Sequence, residues 1–198
     1  MRTSLTRAIA AAVSLLPTAA LAHTGAGDAH GFLHGFAHPL GGLDHVLAMV
    51  TVGIFAWQLG GRAIWLVPST FVLVMAAGGC LGMAGIPLPF VEIGIATSVI
   101  ALGIAVALRL KAPVALAMAV VGVFAVFHGY AHGAEMPAGA GATAYAAGFL
   151  LATALLHAGG LALGFLIGRI GGSAGRYGYR LGGALVALAG VAILAHGM

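Results

Sequence analysis

The chain has 198 residues, 62% of them hydrophobic and only 6% charged, with 33 glycines and a mean hydropathy of +1.12. Soluble globular domains average about 45–50% apolar and about 25% charged residues, so this composition excludes one and calls for a membrane-embedded helical bundle. The net charge of +4 rests on eight basic residues set mostly at the ends of apolar runs, which excludes a nucleic-acid surface. A lone Cys80 excludes an intrachain disulfide and a multi-cysteine metal site.

Residues 1–22 read as a cleavable signal peptide. Arg2 and Arg7 form a basic start, Ala8 to Leu16 a short apolar core, and Ala20-Leu21-Ala22 places small residues at the −3 and −1 positions. Cleavage after Ala22 makes His23 the new N-terminus. Residues 23–198 then form a single all-α transmembrane domain of six helices. The expected segments are Leu40 to Leu59, Ala63 to Met83, Leu88 to Leu108, Pro113 to Tyr130, Thr143 to Ile167 and Leu181 to Ala195. Each is close to the roughly 20 residues that cross a hydrocarbon core. Pro39 favours a helix start at the head of the first segment, because proline is tolerated in a first turn.

Beyond the signal, the basic residues are Arg62, Arg109, Lys111, Arg169, Arg176 and Arg180, all in the first, third and fifth connections. The second connection (Ala84 to Pro87) and the fourth (Ala131 to Ala142) carry none. Positively charged loops stay inside, so the odd connections face the cytoplasm and both mature termini lie outside. Small residues at four-residue spacing permit close helix packing; Gly78 with Gly82, Gly160 with Gly164 and Gly168, and Gly178 with Gly182 fit that pattern.

On this topology nearly every histidine and carboxylate falls on the outer half. His23, Asp28, His30, His34 and His38 lead into the first segment, and Asp44 and His45 sit one to two turns inside it. Glu92 lies about a turn inside the third segment. His128 is in the last turn of the fourth, with His132 and Glu135 just beyond it, and His196 closes the sixth. Only His157, in the fifth, lies deep.

His38 and His45 are seven residues apart, which on one helix puts both on a single face with Asp44 beside them. His128, His132 and Glu135 also fit one face. Imidazole and carboxylate donors without thiolate suit a borderline divalent cation such as Ni²⁺, Co²⁺, Zn²⁺ or Cu²⁺. An ionisable group in the membrane costs about 2.5–3.5 kcal/mol even on lenient insertion scales. Two segments bear that cost at the same depth, which points to a joint metal site of His38, Asp44, His45, His128, His132 and Glu135. His23, His30 and His34 suit an access funnel, although His23, His30 and His196 read equally as interfacial or capping groups. His157 reads as a helix–helix hydrogen bond or a deeper pathway residue, Glu92 as a histidine partner or pathway residue, and Met49 as packing.

The stretches HPLGGLDH (His38 to His45) and FHGYAHGAE (Phe127 to Glu135) resemble the two signatures of the HupE/UreJ family of small bacterial membrane proteins. A histidine, five residues and Asp-His are met by His38, Asp44 and His45. The second signature is met by Phe127, His128, Gly129, Ala131, His132, Gly133 and Glu135. The resemblance implies a nickel permease of the inner membrane, with cobalt the alternative cargo, linked to hydrogenase or urease maturation and holding no permanent cofactor. The implied direction is from periplasm to cytoplasm. Expected partners are the divalent ion and the bilayer, with a homo-oligomer left open.

Neutral imidazole binds metal, so uptake is expected to weaken as pH falls through the imidazole range near about 6.5. No Walker A loop is present, so ATP is not the direct driver. The same donors could serve a membrane zinc metallohydrolase, but there is no HExxH. Facing histidines could also ligate haem iron, and a metal sensor or storage protein would bind without transport.

Overall fold

The computed structural model describes residues 31–196. The expected signal peptide, 1–22, and His23, Asp28 and His30 lie outside the described residues. Among those described, all regular structure is helical: α1 (Gly31–Gly41), α2 (Leu43–Leu59), α3 (Ala63–Met83), α4 (Val91–Ala107), α5 (Val114–Ala134), α6 (Ala142–Ile170) and α7 (Gly172–His196).

Four helices (α3, α5, α6 and α7) are each long and apolar enough to cross a membrane. A fifth span is formed only if α1 and α2 count as one, because the chain bends by 83° between them. The expected third span, α4, is apolar but has 17 residues. Leu73, Leu116, Leu155 and Leu188 stay exposed along their helices, as a lipid-facing surface requires.

The bend corrects the reading of one straight first segment. Pro39 does not start a helix; it lies inside α1, with Gly41 closing that helix and Gly42 in an extended conformation before α2. Proline removes an N–H and crowds the preceding turn, and glycine adds nothing that would hold the helix straight. His38 and His45 therefore stand on two helices and not on one face. Two other boundaries move. Helix α5 runs on to Ala134, so His132 is helical and not just beyond the helix end. Helix α4 starts at Val91 after Phe90 in a left-handed conformation, which puts Glu92 in its first turn, where a negative charge suits the helix dipole.

The most extensive contacts pair α3 with α5, α4 with α7, and α6 with both α1 and α2. Helices α3 and α5 meet backbone to backbone. A methyl on Gly129 would strike the Met75 carbonyl, one on Gly133 the Gly79 carbonyl, and one on Gly82 the Tyr130 carbonyl. Gly182, expected to belong to such a seam, faces open space; its neighbour Gly183 instead packs on the Ala107 and Gly103 backbone of α4. At one end of the bundle the Gln58 amide donates to the Val106 carbonyl at 3.1 Å, and Arg109 lies 5.7 Å from the Tyr179 ring centroid. The histidines and carboxylates gather at the other end.

Candidate metal centre

The glycine seam aims the second histidine cluster. Gly129 and Gly133 face the α3 backbone, so His128 and His132, each one residue earlier and about 100° round the helix, point to the side of that contact, into the bundle. Both are fully buried. The bend at Gly42 supplies the facing group, bringing His38 from α1 and His45 from α2 to the same place. The His132 ring centroid is 5.0 Å from that of His38 and 4.5 Å from that of His45, and His45 is 4.8 Å from His128. Phe149 stacks on His132 at 5.3 Å.

Both carboxylates are turned onto an imidazole. His38 Nε2–H donates to Glu135 Oε2 at 2.9 Å, tying α1 to the residue that ends α5. Asp44 Oδ1 accepts from both the backbone N–H and the ring Nδ1–H of His45, each at 2.8 Å. Gly42 makes room for that pair: a methyl there would stand 2.7 Å from Asp44 Oδ1 and 3.0 Å from His45 Nδ1.

Hydrogen-bond counting assigns the tautomers. With Nδ1 protonated and bonded to Asp44, His45 carries its lone pair on Nε2, which is buried without a partner. Ser98 has one hydroxyl proton and donates it to the Ile95 carbonyl at 2.6 Å. Its 2.9 Å contact with His128 must then be accepted from His128 Nε2–H, which leaves the lone pair on His128 Nδ1, also buried and unpartnered. Neither nitrogen of His132 has a partner. An unsatisfied buried polar group costs about 1–3 kcal/mol, so several bare imidazole nitrogens packed together are an expense a purely structural core would avoid. As placed, no three His, Cys, Asp or Glu side chains among the described residues stand in a metal-holding arrangement, the carboxylates being committed to imidazoles.

A cavity of about 520 Å³ opens over this cluster, lined by His34, His38, Asp44, His45, Glu92 and Glu135 among others. His34 and Glu92 thus join the expected site at its rim. The hydrogen bond from His38 holds the Glu135 carboxyl below the usual carboxylate range, against the opposing effect of partial burial. His157 stands apart: its ring meets Phe71, which lies between it and His128 at centroid distances of 5.0 and 5.5 Å. His196 bonds only its own helix, through the Ala192 carbonyl. Met49 is core packing.

Sequence reasoning missed Ser98, Gly42, Phe71, Phe149 and Tyr145. Ser98 offered a faint signal as an isolated hydroxyl in an apolar run. The aromatic residues offered none, since a membrane bundle is full of them. Tyr145 is fully buried with an unpartnered hydroxyl, its ring centroid 6.0 Å from His38.

A family profile described as HupE / UreJ protein matches residues 11–193. Protein HupE of Rhizobium leguminosarum bv. viciae is 52% identical over 179 residues, which span 90% of this chain and 92% of that protein. No solved structure matches the chain.

Proposed function

The chain belongs to the HupE/UreJ family, and from that premise we propose that it is a permease bringing Ni²⁺, with Co²⁺ as second cargo, from periplasm to cytoplasm for hydrogenase or urease maturation. Zn²⁺ is a surrogate that the same donors accept. The family is one of transport and accessory proteins, and not of enzymes. The signal peptide delivers the mature N-terminus outside, α4 completes a sixth span, and the arginine-bearing connections lie in the cytoplasm. At 17 residues α4 is about 26 Å long, the short limit for a span.

One observation carries the reading: two separated sequence motifs converge on a single cavity, where bare imidazole nitrogens meet two carboxylates. The dication is substrate here, not a resident cofactor. It is drawn to the cavity rim by Glu92 and Glu135 and offered nitrogen by His34. It then exchanges the His38–Glu135 hydrogen bond for bonds to itself. Asp44 keeps its hold on His45 Nδ1 through one oxygen and thereby presents Nε2, the usual way a carboxylate orients a metal-binding histidine. His132, free at both nitrogens, stands within reach of His38 and His45 alike. An inside-negative potential favours inward movement by roughly 2.3 kcal/mol per charge per 100 mV, and a dication feels it twice.

Radiolabelled nickel uptake into proteoliposomes, with Co²⁺ and Zn²⁺ as competitors, tests this. His132→Ala is expected to abolish uptake and Asp44→Asn to weaken it about 10–100-fold, with both variants inserted and monodisperse. Wild-type uptake in His132→Ala would refute the joint site, and binding without flux in the native protein would make it a sensor or store.

A further inference from the structure

Among the described residues, the buried side-chain nitrogens and oxygens without a hydrogen bond fall into three places. Gln58 Oε1 lies at the far end of the bundle, on the residue whose amide meets Val106. His157 stands behind the Phe71 ring. The rest are at the outer end: His45 Nε2 and His128 Nδ1, whose lone pairs are bare, both nitrogens of His132, and the hydroxyl of Tyr145.

Tyr145 is wholly buried in the first turn of α6. Helix α1 lies directly on its backbone, so that a methyl on Gly35 would strike the Tyr145 carbonyl. The Tyr145 ring rests against His38 and His34 at centroid distances of 6.0 and 6.3 Å. Phe149, one turn further along the same face of α6, is 5.8 Å from the Tyr145 ring and 5.3 Å from His132. His38 is 5.0 Å from His132. Tyr145 and His132 therefore share two neighbours, His38 and Phe149, in a closed circuit of four rings.

A neutral imidazole has one bare nitrogen and one N–H. When His132 gives its bare nitrogen to a cation, the other nitrogen keeps its proton, and that N–H is buried with no acceptor in the metal-free site. A metal-bound histidine almost always donates its second ring N–H to an oxygen, which fixes its tautomer and ring angle. His45 has the Asp44 carboxylate for this and His128 the Ser98 hydroxyl. His132 has neither. Of the two buried side-chain oxygens without a partner among the described residues, Gln58 Oε1 is remote and Tyr145 Oη is beside the shared rings. A phenol oxygen accepts as well as donates.

We propose that Tyr145 is the positioning residue of His132: on metal binding its hydroxyl accepts the His132 N–H turned away from the ion, as Asp44 does for His45 and Ser98 for His128. This deepens the permease reading and rests on it, since it needs His132 as a ligand. The two groups are unbonded in the metal-free site and meet when the ion fixes His132 against His38 and His45. The hydroxyl thus serves the loaded site and adds nothing to the empty fold.

The test uses the full-length protein in detergent, with Ni²⁺ affinity read by isothermal titration and the thermal midpoint read without metal. Tyr145→Phe removes one oxygen and keeps the ring in its circuit. It is expected to weaken Ni²⁺ binding about 10–100-fold, while the metal-free midpoint holds or rises slightly because a buried hydroxyl without a partner is lost. With diamagnetic Zn²⁺ as the probe ion, magnetic resonance of isotope-labelled histidines is expected to show a slowly exchanging His132 ring N–H, identified by its absence in His132→Ala. Tyr145→Phe loses that protection and keeps the His45 ring N–H. Native affinity in Tyr145→Phe overturns the proposal. So does a lowered metal-free midpoint or a failure to fold, either of which gives the hydroxyl a structural bond in the empty bundle. Weakened binding with the His132 N–H still protected also overturns it, because the hydroxyl then acts through another ligand. Absence of Ni²⁺ binding by the native protein overturns the metal site itself and this extension with it, whereas native binding with an indifferent Tyr145→Phe overturns the extension alone.

Discussion

Gly42 occupies the point where the Asp44 carboxylate folds back onto the His45 ring, and a single methyl group there meets both. Gly41, its neighbour in the same dipeptide, faces nothing within 4 Å. The two glycines are therefore not equivalent, although as neighbours in HPLGGLDH nothing sets them apart. Gly42→Ala pushes Asp44 away from His45, frees the imidazole to change tautomer, and is expected to weaken Ni²⁺ binding about 10–100-fold. Gly41→Ala is expected to bind as the native protein does. Isothermal titration of both purified variants checks the pair, and equal affinities would mean that the Asp44–His45 hydrogen bond does not orient the ligand. Ser98 plays the corresponding part for His128 from another helix, through a hydroxyl whose only proton is already given to Ile95.

Between elements, the decisive contacts are the ones without side chains. Gly129 and Gly133 let α5 lie directly on α3, and that approach fixes the rotation that sends His128 and His132 inwards. Gly133→Ala puts a methyl against the Gly79 carbonyl, and overpacking of this kind costs about 1–3 kcal/mol. Its thermal unfolding midpoint in detergent is expected to drop, while Gly182→Ala, placed in open space, leaves the midpoint unchanged or slightly raised through better helix propensity. Equal midpoints would remove the seam as the cause of the histidine orientation. Part of this was legible beforehand. Ala63–Met83 is found at the expected bounds because its apolar run is bounded by Arg62 and by the turn at Gly85-Ile86-Pro87. That the two histidine clusters share one end of the bundle was expected from charge sidedness together with the signal peptide. The bend at Gly42 was not legible, because Pro39 reads equally as a helix start and as a late-helix kink, and only packing on α6 decides between them. Nor could spacing separate Gly182 from Gly183, since the face a helix buries depends on a partner distant in sequence.

For the whole molecule, the arrangement separates what acid does to transport from what it does to the fold. Metal binding needs bare imidazole nitrogens, and unperturbed imidazoles gain a proton near about pH 6.5. Glu135 responds at a different pH. Its carboxyl, held below the usual carboxylate range chiefly by the hydrogen bond from His38, contributes stability that is present above the unfolded carboxylate value. That contribution is lost only as pH falls through the lowered folded value. Between pH 7 and about pH 5.5 the α1–α5 tie therefore keeps its ionised carboxylate. Uptake, with the membrane potential clamped, is expected to fall at least about tenfold over that interval, while circular dichroism and monodispersity stay constant. Uptake that holds level to pH 5.5 would show that no imidazole gaining a proton in this range is needed for binding. Helical content that falls in step with uptake would show instead that acid acts by unfolding the bundle.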